Sequence, residues 1–391
     1  MSTPFNPARA VRVAIAFLLV GAAAGVGFAA GRLAAGPSLS LPLLGEALGL
    51  IEDRYLRPLP ERSSMDRQAL RGLLQSLQDP YTILVDPVER ELETNTLSGE
   101  YGGIGADIVR DAATVVRLVP FPEGPAIRAG IAEGDVLLAI DGVVLSAQSS
   151  LDEITALLRG PEGSHVTLTV GQTPQDPDPR NVQLVRENFP LPSVASYLYP
   201  DDAAIGVVRI RLFTATTPAE VDEALQDLAD RGATGLAVDL RGNPGGLFES
   251  AVDTARLFLV NGPIVAEVRV DGSGPSYKVE SAGRWSALPV VLVVDGGTAS
   301  AAELLAAVLQ QHGRAVLAGQ ATLGKGSVQS VFPLSDGSSL HLTTAVWQLP
   351  DGGELPSMGL SPDIPVNVDA SDPDVSLRTA AVWLREQSGL P

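Results

Sequence analysis

The sequence predicts an α/β fold in which a smaller, strand-rich module precedes the main sheet. From Ala204 onward, apolar strands alternate with segments whose apolar residues recur at helical spacing. The run Val290 to Val294 is apolar throughout, as expected where both faces of a mostly parallel sheet are covered. Residues 99–188 instead contain short strands and one helix, which favours a separate domain.

The first 36 residues have the pattern of a membrane or signal helix. Val13 to Gly31 carries no charge and would span roughly 28 Å as a helix, nearly the thickness of a bilayer core. Arg9 and Arg12 precede it, so the positive-inside rule places the rest of the chain outside the cytoplasm. We expect an exported protein, membrane-anchored or soluble in the periplasm or extracytoplasmic space. We favour a retained membrane anchor. The alternative is cleavage of this segment near Ala30.

The composition excludes several classes of function. There are 46 acidic and 27 basic residues, a net charge of −19, so the sequence lacks the positive charge of a nucleic-acid-binding protein. Cysteine is absent, which rules out disulfides, thiol catalysis and cysteine metal sites. Hydrophobic residues make up 45% of the 391, enough for two domain cores.

A helical region, residues 37–98, is expected between the membrane segment and the smaller module. Apolar residues recur at helical spacing up to Leu77, and Asp79-Pro80-Tyr81 ends the pattern. A glycine cluster at 98–105 then opens the smaller module. Its predicted elements are the strands Ile104 to Arg110, Val115 to Val119, Val136 to Ile140, Val166 to Val170 and Val182 to Arg186, and the helix Leu151 to Arg159.

Residues 189–391 are expected to form the α/β core. The predicted strands are Ile205 to Ile210, Gly235 to Leu240, Val290 to Val294 and Ala315 to Gly319. The predicted helices are Pro218 to Arg231, Phe248 to Val260 and Ala299 to Gln311.

Ser300 is the first candidate for chemistry. It lies in Asp295-Gly-Gly-Thr-Ala-Ser-Ala-Ala-Glu303, where a buried strand turns through two glycines into a helix. Free N–H groups at the start of a helix favour the negative charge that develops in acyl transfer. The alternative is structural, because Ser300 and Glu303 also fit the S-x-x-E capping box.

Lys325 is the second candidate, placed between glycines in Gly324-Lys-Gly-Ser-Val-Gln329. A lysine acts as a general base only if burial lowers its pKa from about 10.4 to near 7 or 8. Leu323 and Val328 are apolar neighbours that could bury the amine. The alternative is an ordinary loop lysine, which would keep its proton.

The turn Asp239-Leu-Arg-Gly-Asn-Pro-Gly-Gly246 could supply a second oxyanion donor. Gly245 and Gly246 expose backbone N–H groups at the end of another strand. The alternative is a plain βα turn built from Asn-Pro-Gly-Gly. A Ser-His-Asp arrangement is poorly supported, because two histidines fall in predicted strands and one ends a helix. The histidines of the sequence are His165, His312 and His341.

Together with Ser98 to Gly105, these motifs resemble the C-terminal processing (tail-specific) peptidases, subfamily A of peptidase family S41. The resemblance runs from Asp79-Pro80-Tyr81-Thr82 to Gly359-Leu-Ser-Pro-Asp-Ile364. It implies a crotonase/ClpP-like α/β protease core with an inserted PDZ domain, and neither a metal nor an organic cofactor. The implied site residues are Ser300 as nucleophile, Lys325 as base, Gln329 as the residue that orients the lysine, and the amides of Gly246 and Ala301 as the oxyanion hole.

The same resemblance implies that residues 99–188 are the PDZ domain and bind the C-terminal tail of a protein substrate. The carboxylate would be received by the loop Tyr101-Gly102-Gly103-Ile104, and the tail would pair along Ile104 to Ile108 by strand addition. The predicted peptide-binding residues are Tyr101, Gly102, Gly103, Ile104, Gly105 and Ala106. The apolar helix Leu151 to Arg159 would select a substrate with an apolar tail. Further expected partners are an adaptor protein, a second copy of the chain and the membrane.

Two other functions compete with this interpretation. Gly319 to Lys325 fits the first part of the P-loop pattern of nucleotide hydrolases, although Gly326 replaces the hydroxyl residue that binds Mg²⁺. A non-catalytic PDZ scaffold would bind tails without turnover. We expect a serine endopeptidase that cleaves extracytoplasmic proteins near their C-termini.

Overall fold

The computed structural model describes residues 41–111, 114–146, 149–367, 372 and 374–388. The boundary between its two compact units falls after Asp66. The expected membrane or signal helix, Val13 to Gly31, lies outside the described residues. Within the described ranges, no helix has the length and apolar character needed to cross a membrane.

The described part of the chain contains nine helices and 19 strands. The helices are α1 (Pro42–Arg54), α2 (Arg62–Gln75), α3 (Pro87–Ser98), α4 (Pro125–Arg128), α5 (Leu151–Leu158), α6 (Thr217–Asp230), α7 (Phe248–Phe258), α8 (Ala301–Gln311) and α9 (Val375–Ser388). The strands are β1 (Ile83–Val85), β2 (Glu100–Gly103), β3 (Ala106–Arg110), β4 (Val116–Pro120), β5 (Val136–Ile140), β6 (Val143–Val144), β7 (His165–Gly171), β8 (Arg180–Val185), β9 (Glu187–Pro190), β10 (Val194–Tyr199), β11 (Asp202–Ile210), β12 (Gly235–Asp239), β13 (Pro263–Arg269), β14 (Ser276–Lys278), β15 (Val290–Val294), β16 (Val316–Gly319), β17 (Ser327–Pro333), β18 (Ser339–Gln348) and β19 (Ile364–Pro365).

The main sheet has six strands in the order β10-β11-β12-β15-β16-β19. β10 is antiparallel to β11, and every other neighbouring pair is parallel. The predicted α/β core is therefore confirmed. Its predicted strands and helices are present with ends within three residues of the expected ones.

Both faces of the main sheet are covered, which explains why β15 is apolar throughout. Val290, Leu292 and Val294 pack into the core formed with α6, α7 and α8. Val291 and Val293 point to the other face and pack against α9. Burying each such side chain contributes roughly 1.5 to 3 kcal/mol, so a polar residue on either face would be costly.

A second, antiparallel sheet contains the strands β1-β18-β13-β14, with β17 also paired to β18. β1 pairs with the start of β18, so that Ile83 lies opposite His341. This pairing brings the segment before β1, which the sequence assigned to the helical region, next to β17 and β18. Pairing at such separation cannot be inferred from local sequence.

The smaller module is an antiparallel sheet in the order β3-β4-β5-β7-β8, with β6 on β5. All five predicted strands and the predicted helix are present as β3, β4, β5, β7, β8 and α5. Ser150 begins α5 with a capping box, in which its hydroxyl accepts from Glu153 N–H at 3.1 Å. A separate two-stranded ribbon, β2 and β9, joins the two ends of the module. The domain bounds 99–188 and 189–391 remain predictions.

Candidate active site

Three loops meet at the carboxyl edge of the main sheet. β12 and β15 are parallel neighbours, so the turns that follow them, residues 240–247 and 295–300, lie side by side. β16 lies on the other side of β15, and residues 320–326 follow it. Open α/β sheets bind ligands at this edge. The topology therefore brings Ser300, Lys325 and the glycine turn to one place.

Ser300 has an unusual backbone conformation at the point where the chain enters α8. Its φ is +54° and its ψ is −122°, a combination that residues other than glycine rarely adopt. Ser300 and Glu303 occupy the capping-box positions, and the Glu303 carboxylate accepts from the Ser300 N–H at 3.0 Å. The Ser300 hydroxyl faces the Glu303 N–H, as in a capping box, but no hydrogen bond of full geometry joins them. The capping-box arrangement is therefore present, and the same serine also lines the cavity described below.

The strain at Ser300 predicts an order of stability between two variants of this residue. Ser300→Gly is expected to be more stable than Ser300→Ala by about 1 kcal/mol, because glycine accepts the positive φ while alanine keeps the strain. Thermal unfolding of the full chain, followed by circular dichroism, measures the difference. Equal melting temperatures, or a less stable glycine variant, would show that the backbone at this position is relaxed.

Gly245 and Gly246 allow the glycine turn to approach Ser300. Their φ angles are +109° and +123°, and a Cβ on Gly246 would lie 2.2 Å from the Phe213 carbonyl oxygen. That carbonyl accepts from Leu247 N–H, and Phe213 N–H donates to Gly245 O, both at 2.7 Å. Across the described residues, neither Gly246 N–H nor Ala301 N–H donates a backbone hydrogen bond. Both N–H groups can therefore donate to a ligand.

Glu303 joins the nucleophile turn to the lysine loop. Its side chain is fully buried, and its carboxylate accepts four hydrogen bonds. The donors are Ser300 N–H at 3.0 Å, Lys325 N–H at 2.9 Å, Gly324 N–H at 2.6 Å and the Thr322 hydroxyl. Four donors on one buried carboxylate satisfy its charge. Glu303 therefore fixes the backbone of Ser300 relative to that of Lys325.

Replacing this carboxylate by an amide predicts a loss of stability. Each oxygen of Glu303 accepts two donors, so in Glu303→Gln an NH₂ group must face two donors. We expect destabilisation by roughly 2 to 3 kcal/mol, seen as a melting temperature several degrees lower. The matched control is Glu223→Gln, on the exposed face of α6, which should melt like the wild type. Unchanged melting of Glu303→Gln would contradict the assigned hydrogen bonds.

Lys325 is half-buried and held from two sides. Its Nζ donates to Gln329 Oε1 at 3.2 Å and lies 4.7 Å from the centroid of the Tyr81 ring. Burial lowers the pKa of Lys325, and the nearby carboxylates of Asp79 and Glu93 oppose the shift. The net direction is downward, as a general base near neutral pH requires.

One cavity of about 670 Å³ joins these groups. The sequence-predicted residues that line it are Ser300, Ala301, Gly246, Lys325 and Gln329. His341 also lines this cavity, and its Nε2 lies 3.3 Å from a carboxylate oxygen of Glu93, without the geometry of a hydrogen bond. Phe248 and Trp347, whose rings stack with centroids 6.0 Å apart, contribute an aromatic wall.

A second cavity, of about 460 Å³, lies between β3 and α5 in the smaller module. β3 is an edge strand of its sheet, so its outer backbone groups can pair with an added strand. Ile104, Ile108, Leu151 and Leu158 give the cavity apolar walls. It therefore has the form of a groove for an extended, apolar peptide.

The predicted carboxylate loop differs from its expected form. Residues Glu100–Gly103 form β2, paired with β9, so the prediction of a loop here was wrong. The Gly102 carbonyl accepts from Gly160 N–H at 3.2 Å. Of the six predicted peptide-binding residues, those that line the groove are Tyr101, Gly103, Ile104 and Ala106. Gly102 and Gly105 do not line it, and the part of all six in peptide binding remains a prediction.

The segment Gly319 to Lys325 does not have the structure of a P-loop. A P-loop connects a strand to a helix, whose N-terminus binds phosphate, whereas this segment leads into β17. The hydroxyl of Thr322 is bound to Glu303. The nucleotide-hydrolase alternative is therefore not supported.

Comparison with known proteins decides the family. The model of peptidase family S41 matches residues 204–366, and a PDZ-domain model matches residues 120–171. A chloroplastic C-terminal processing peptidase from Tetradesmus obliquus is 33% identical to this chain. The aligned region covers 85% of this chain and 74% of that peptidase. The chain belongs to the C-terminal processing peptidases of family S41.

Two further comparisons agree with this S41 assignment. A carboxyl-terminal-processing protease from Picosynechococcus sp. is 37% identical over 80% of this chain and 76% of its own length. A solved S41 protease structure from Bacteroides fragilis shares the fold, with a TM-score of 0.52 over 91% of this chain and all of that chain, at 16% identity. The fold is thus the α/β protease fold of the S41 peptidases with a PDZ domain.

Sequence reasoning missed two residues at the site of this S41 peptidase. Glu303 was interpreted only as a capping residue, because its bonds to residues 324 and 325 depend on the fold. Tyr81 marked the end of a helical pattern and the start of the family resemblance, and no role at the site was expected of it. Leu323, expected to bury the lysine, is 50% exposed, and the Tyr81 ring lies against the amine instead.

Proposed function

We propose that this S41 peptidase cleaves exported proteins near their C-termini through an acyl-enzyme on Ser300, with Lys325 as the base. The observation that carries the proposal is the shared cavity, in which the strained serine and a half-buried lysine lie with two unused backbone N–H groups. The C-terminal processing names of the relatives support the class of substrate.

In the first half of the reaction, neutral Lys325 accepts the hydroxyl proton as Ser300 Oγ attacks the peptide carbonyl carbon. The N–H groups of Gly246 and Ala301 donate to the oxyanion that forms. The protonated lysine then gives its proton to the departing amine, the C–N bond breaks, and an ester to Ser300 remains. Gln329 keeps Nζ in place through the 3.2 Å hydrogen bond.

In the second half, a water molecule replaces the amine. Lys325 takes a proton from the water as its oxygen attacks the ester carbonyl, and the same two N–H groups bind the second oxyanion. Collapse of this intermediate releases the new C-terminus, and the lysine returns the proton to Ser300 Oγ. The step needs no metal and no organic cofactor.

The PDZ domain, residues 99–188 in this proposal, presents the substrate tail to the peptidase core, residues 189–391. The free edge of β3 pairs with the tail backbone, which tolerates many sequences. The apolar walls of the groove favour an apolar C-terminal residue. Through residues 1–36 the protein would act outside the cytoplasm, at the membrane or free of it. An adaptor protein and a homo-oligomer remain predictions from the sequence.

Cleavage of an unstructured protein with an apolar C-terminus tests the proposal, with the full chain purified in mild detergent. We expect wild type to cleave it, and to cleave the same protein with an Asp-Asp terminus at least several-fold more slowly. Ser300→Ala should bind the apolar tail without cleaving. Tail binding by wild type without any cleavage would overturn the proposal in favour of a scaffold.

A further inference from the structure

Tyr81 contacts the lysine from a part of the chain to which the proposed mechanism gives no role. The centroid of its ring lies 4.7 Å from Lys325 Nζ, within the range of a cation–π contact. The Tyr81 carbonyl also accepts a hydrogen bond from Gln329 Nε2. One residue thus touches both the lysine and the glutamine beside it.

The turn that carries Tyr81 is held in place by hydrogen bonds on both sides. The Asp79 carboxylate accepts from Tyr81 N–H at 3.0 Å and from the Thr82 hydroxyl at 2.7 Å. The Thr82 hydroxyl in turn accepts from Thr343 N–H, on β18, at 3.1 Å. Thr82 is 4% exposed. The backbone of Tyr81 is therefore held relative to β18, the strand that pairs with β17 and its Gln329.

We propose that Tyr81 is a positioning residue for Lys325, through its ring face and its carbonyl together. The Tyr81 carbonyl accepts from the Gln329 NH₂ group. This orients the amide so that its Oε1 faces Lys325 Nζ. The ring face stabilises the lysine cation that forms when Ser300 loses its proton. The role of Tyr81 in catalysis rests on the proposed function, whereas its effect on the pKa of Lys325 does not.

The direction in which the pKa of Lys325 should change on loss of the Tyr81 ring follows from the groups that face the amine. Burial lowers the pKa of Lys325, and the carboxylates of Asp79 on the turn and Glu93 on α3 raise it. Glu303 bonds only to the backbone N–H of the lysine, and His341 lies beside Glu93. The aromatic face favours the cation, as the carboxylates do. Replacing the Tyr81 ring by an apolar, non-aromatic side chain should therefore lower the pKa of Lys325 further.

The chain allows this pKa to be measured without catalysis, because Lys278 and Lys325 are its only lysines. The full chain carrying Ser300→Ala is acetylated briefly with acetic anhydride at a series of pH values, and mass spectrometry follows each lysine. Tyr81→Leu should shift the Lys325 reactivity curve to lower pH by roughly 0.4 to 1.5 units, the range of cation–π contacts. Tyr81→Phe retains the aromatic face and should restore the wild-type curve.

Controls separate this effect from a general loss of packing. Tyr55→Leu removes an exposed tyrosine and should leave the Lys325 curve in place, and Lys278 serves as the internal reference in every sample. If Tyr81→Leu does not fold, Tyr81→Met makes the same test. An unshifted curve in a folded Leu or Met variant would overturn the proposal, and so would an equal shift in Tyr81→Phe.

Cleavage by the same variants, with Ser300 intact, gives a second readout. The acid limb of the kcat/KM profile should move to lower pH in Tyr81→Leu, and the plateau of kcat should fall several-fold, with a smaller change in KM. A shifted acetylation curve in a chain that cleaves nothing would support the lysine contact and count against the proposed function. A changed KM with an unchanged acid limb would count against Tyr81 as a positioning residue.

Discussion

Lys325→Ala is expected to lower kcat/KM for an apolar-tailed substrate by roughly 10²- to 10⁴-fold, the contribution of a general base. Lys325→Arg should be as inactive, because a guanidinium keeps its proton at any working pH and cannot accept another. Steady-state cleavage, with tail binding measured in parallel, checks both variants. Tail binding should persist, since the groove between β3 and α5 is separate from the lysine.

The matched control for the lysine is Lys278→Ala, which removes the other lysine of the chain from an exposed site on β14. It should cleave like the wild type. Substantial activity in Lys325→Ala would contradict the assigned base. His341, which lines the same cavity, would then be the next residue to test.

Gly246→Ala is expected to reduce kcat by roughly 10²- to 10³-fold, the cost of losing one oxyanion donor. The added Cβ would lie 2.2 Å from the Phe213 carbonyl oxygen at a φ of +123°, so the turn must move and carry its N–H away. KM should change little, because in the proposed mechanism the Gly246 N–H binds the oxyanion of the transition state more strongly than the ground-state carbonyl. Cleavage kinetics together with the melting temperature distinguish a displaced donor from an unfolded protein.

Gly242→Ala is the matched control for this turn. Gly242 also has a positive φ, +68°, but a Cβ there would meet no atom within 4 Å. It should lose a little stability and keep its activity. Equal activity losses in folded Gly242→Ala and Gly246→Ala would show that general distortion of the turn, rather than the Gly246 N–H, is responsible.

The parallel core could be predicted from local patterns, whereas the pairing of Ser300 with Lys325 was expected from the resemblance to the processing peptidases. An apolar run such as Val290 to Val294 requires covered faces, and parallel neighbours place their following turns at one edge. The motifs in those turns carry enough glycine to show where the backbone approaches closely. These are short-range properties that a single sequence displays.

The contacts of Tyr81 and Glu303 could not be predicted, because each depends on pairing between distant segments. Tyr81 reaches the lysine only because β1 pairs with β18, more than 250 residues later. Glu303 shows its capping position in the sequence, but not the three donors from residues 322–325. The family resemblance implied a loop at residues 101–104, whereas pairing with β9 makes residues 100–103 a strand.

The rate at which a fluorophosphonate labels Ser300, followed by mass spectrometry across a range of pH, tests the Ser300–Lys325 pair most directly. The wild type should be labelled at Ser300, with a rate that rises as Lys325 loses its proton. Lys325→Ala should be labelled at least 100-fold more slowly at neutral pH, and His341→Ala should follow the wild-type profile. Labelling that persists without Lys325, that fails without His341, or that occurs at another residue would contradict the account.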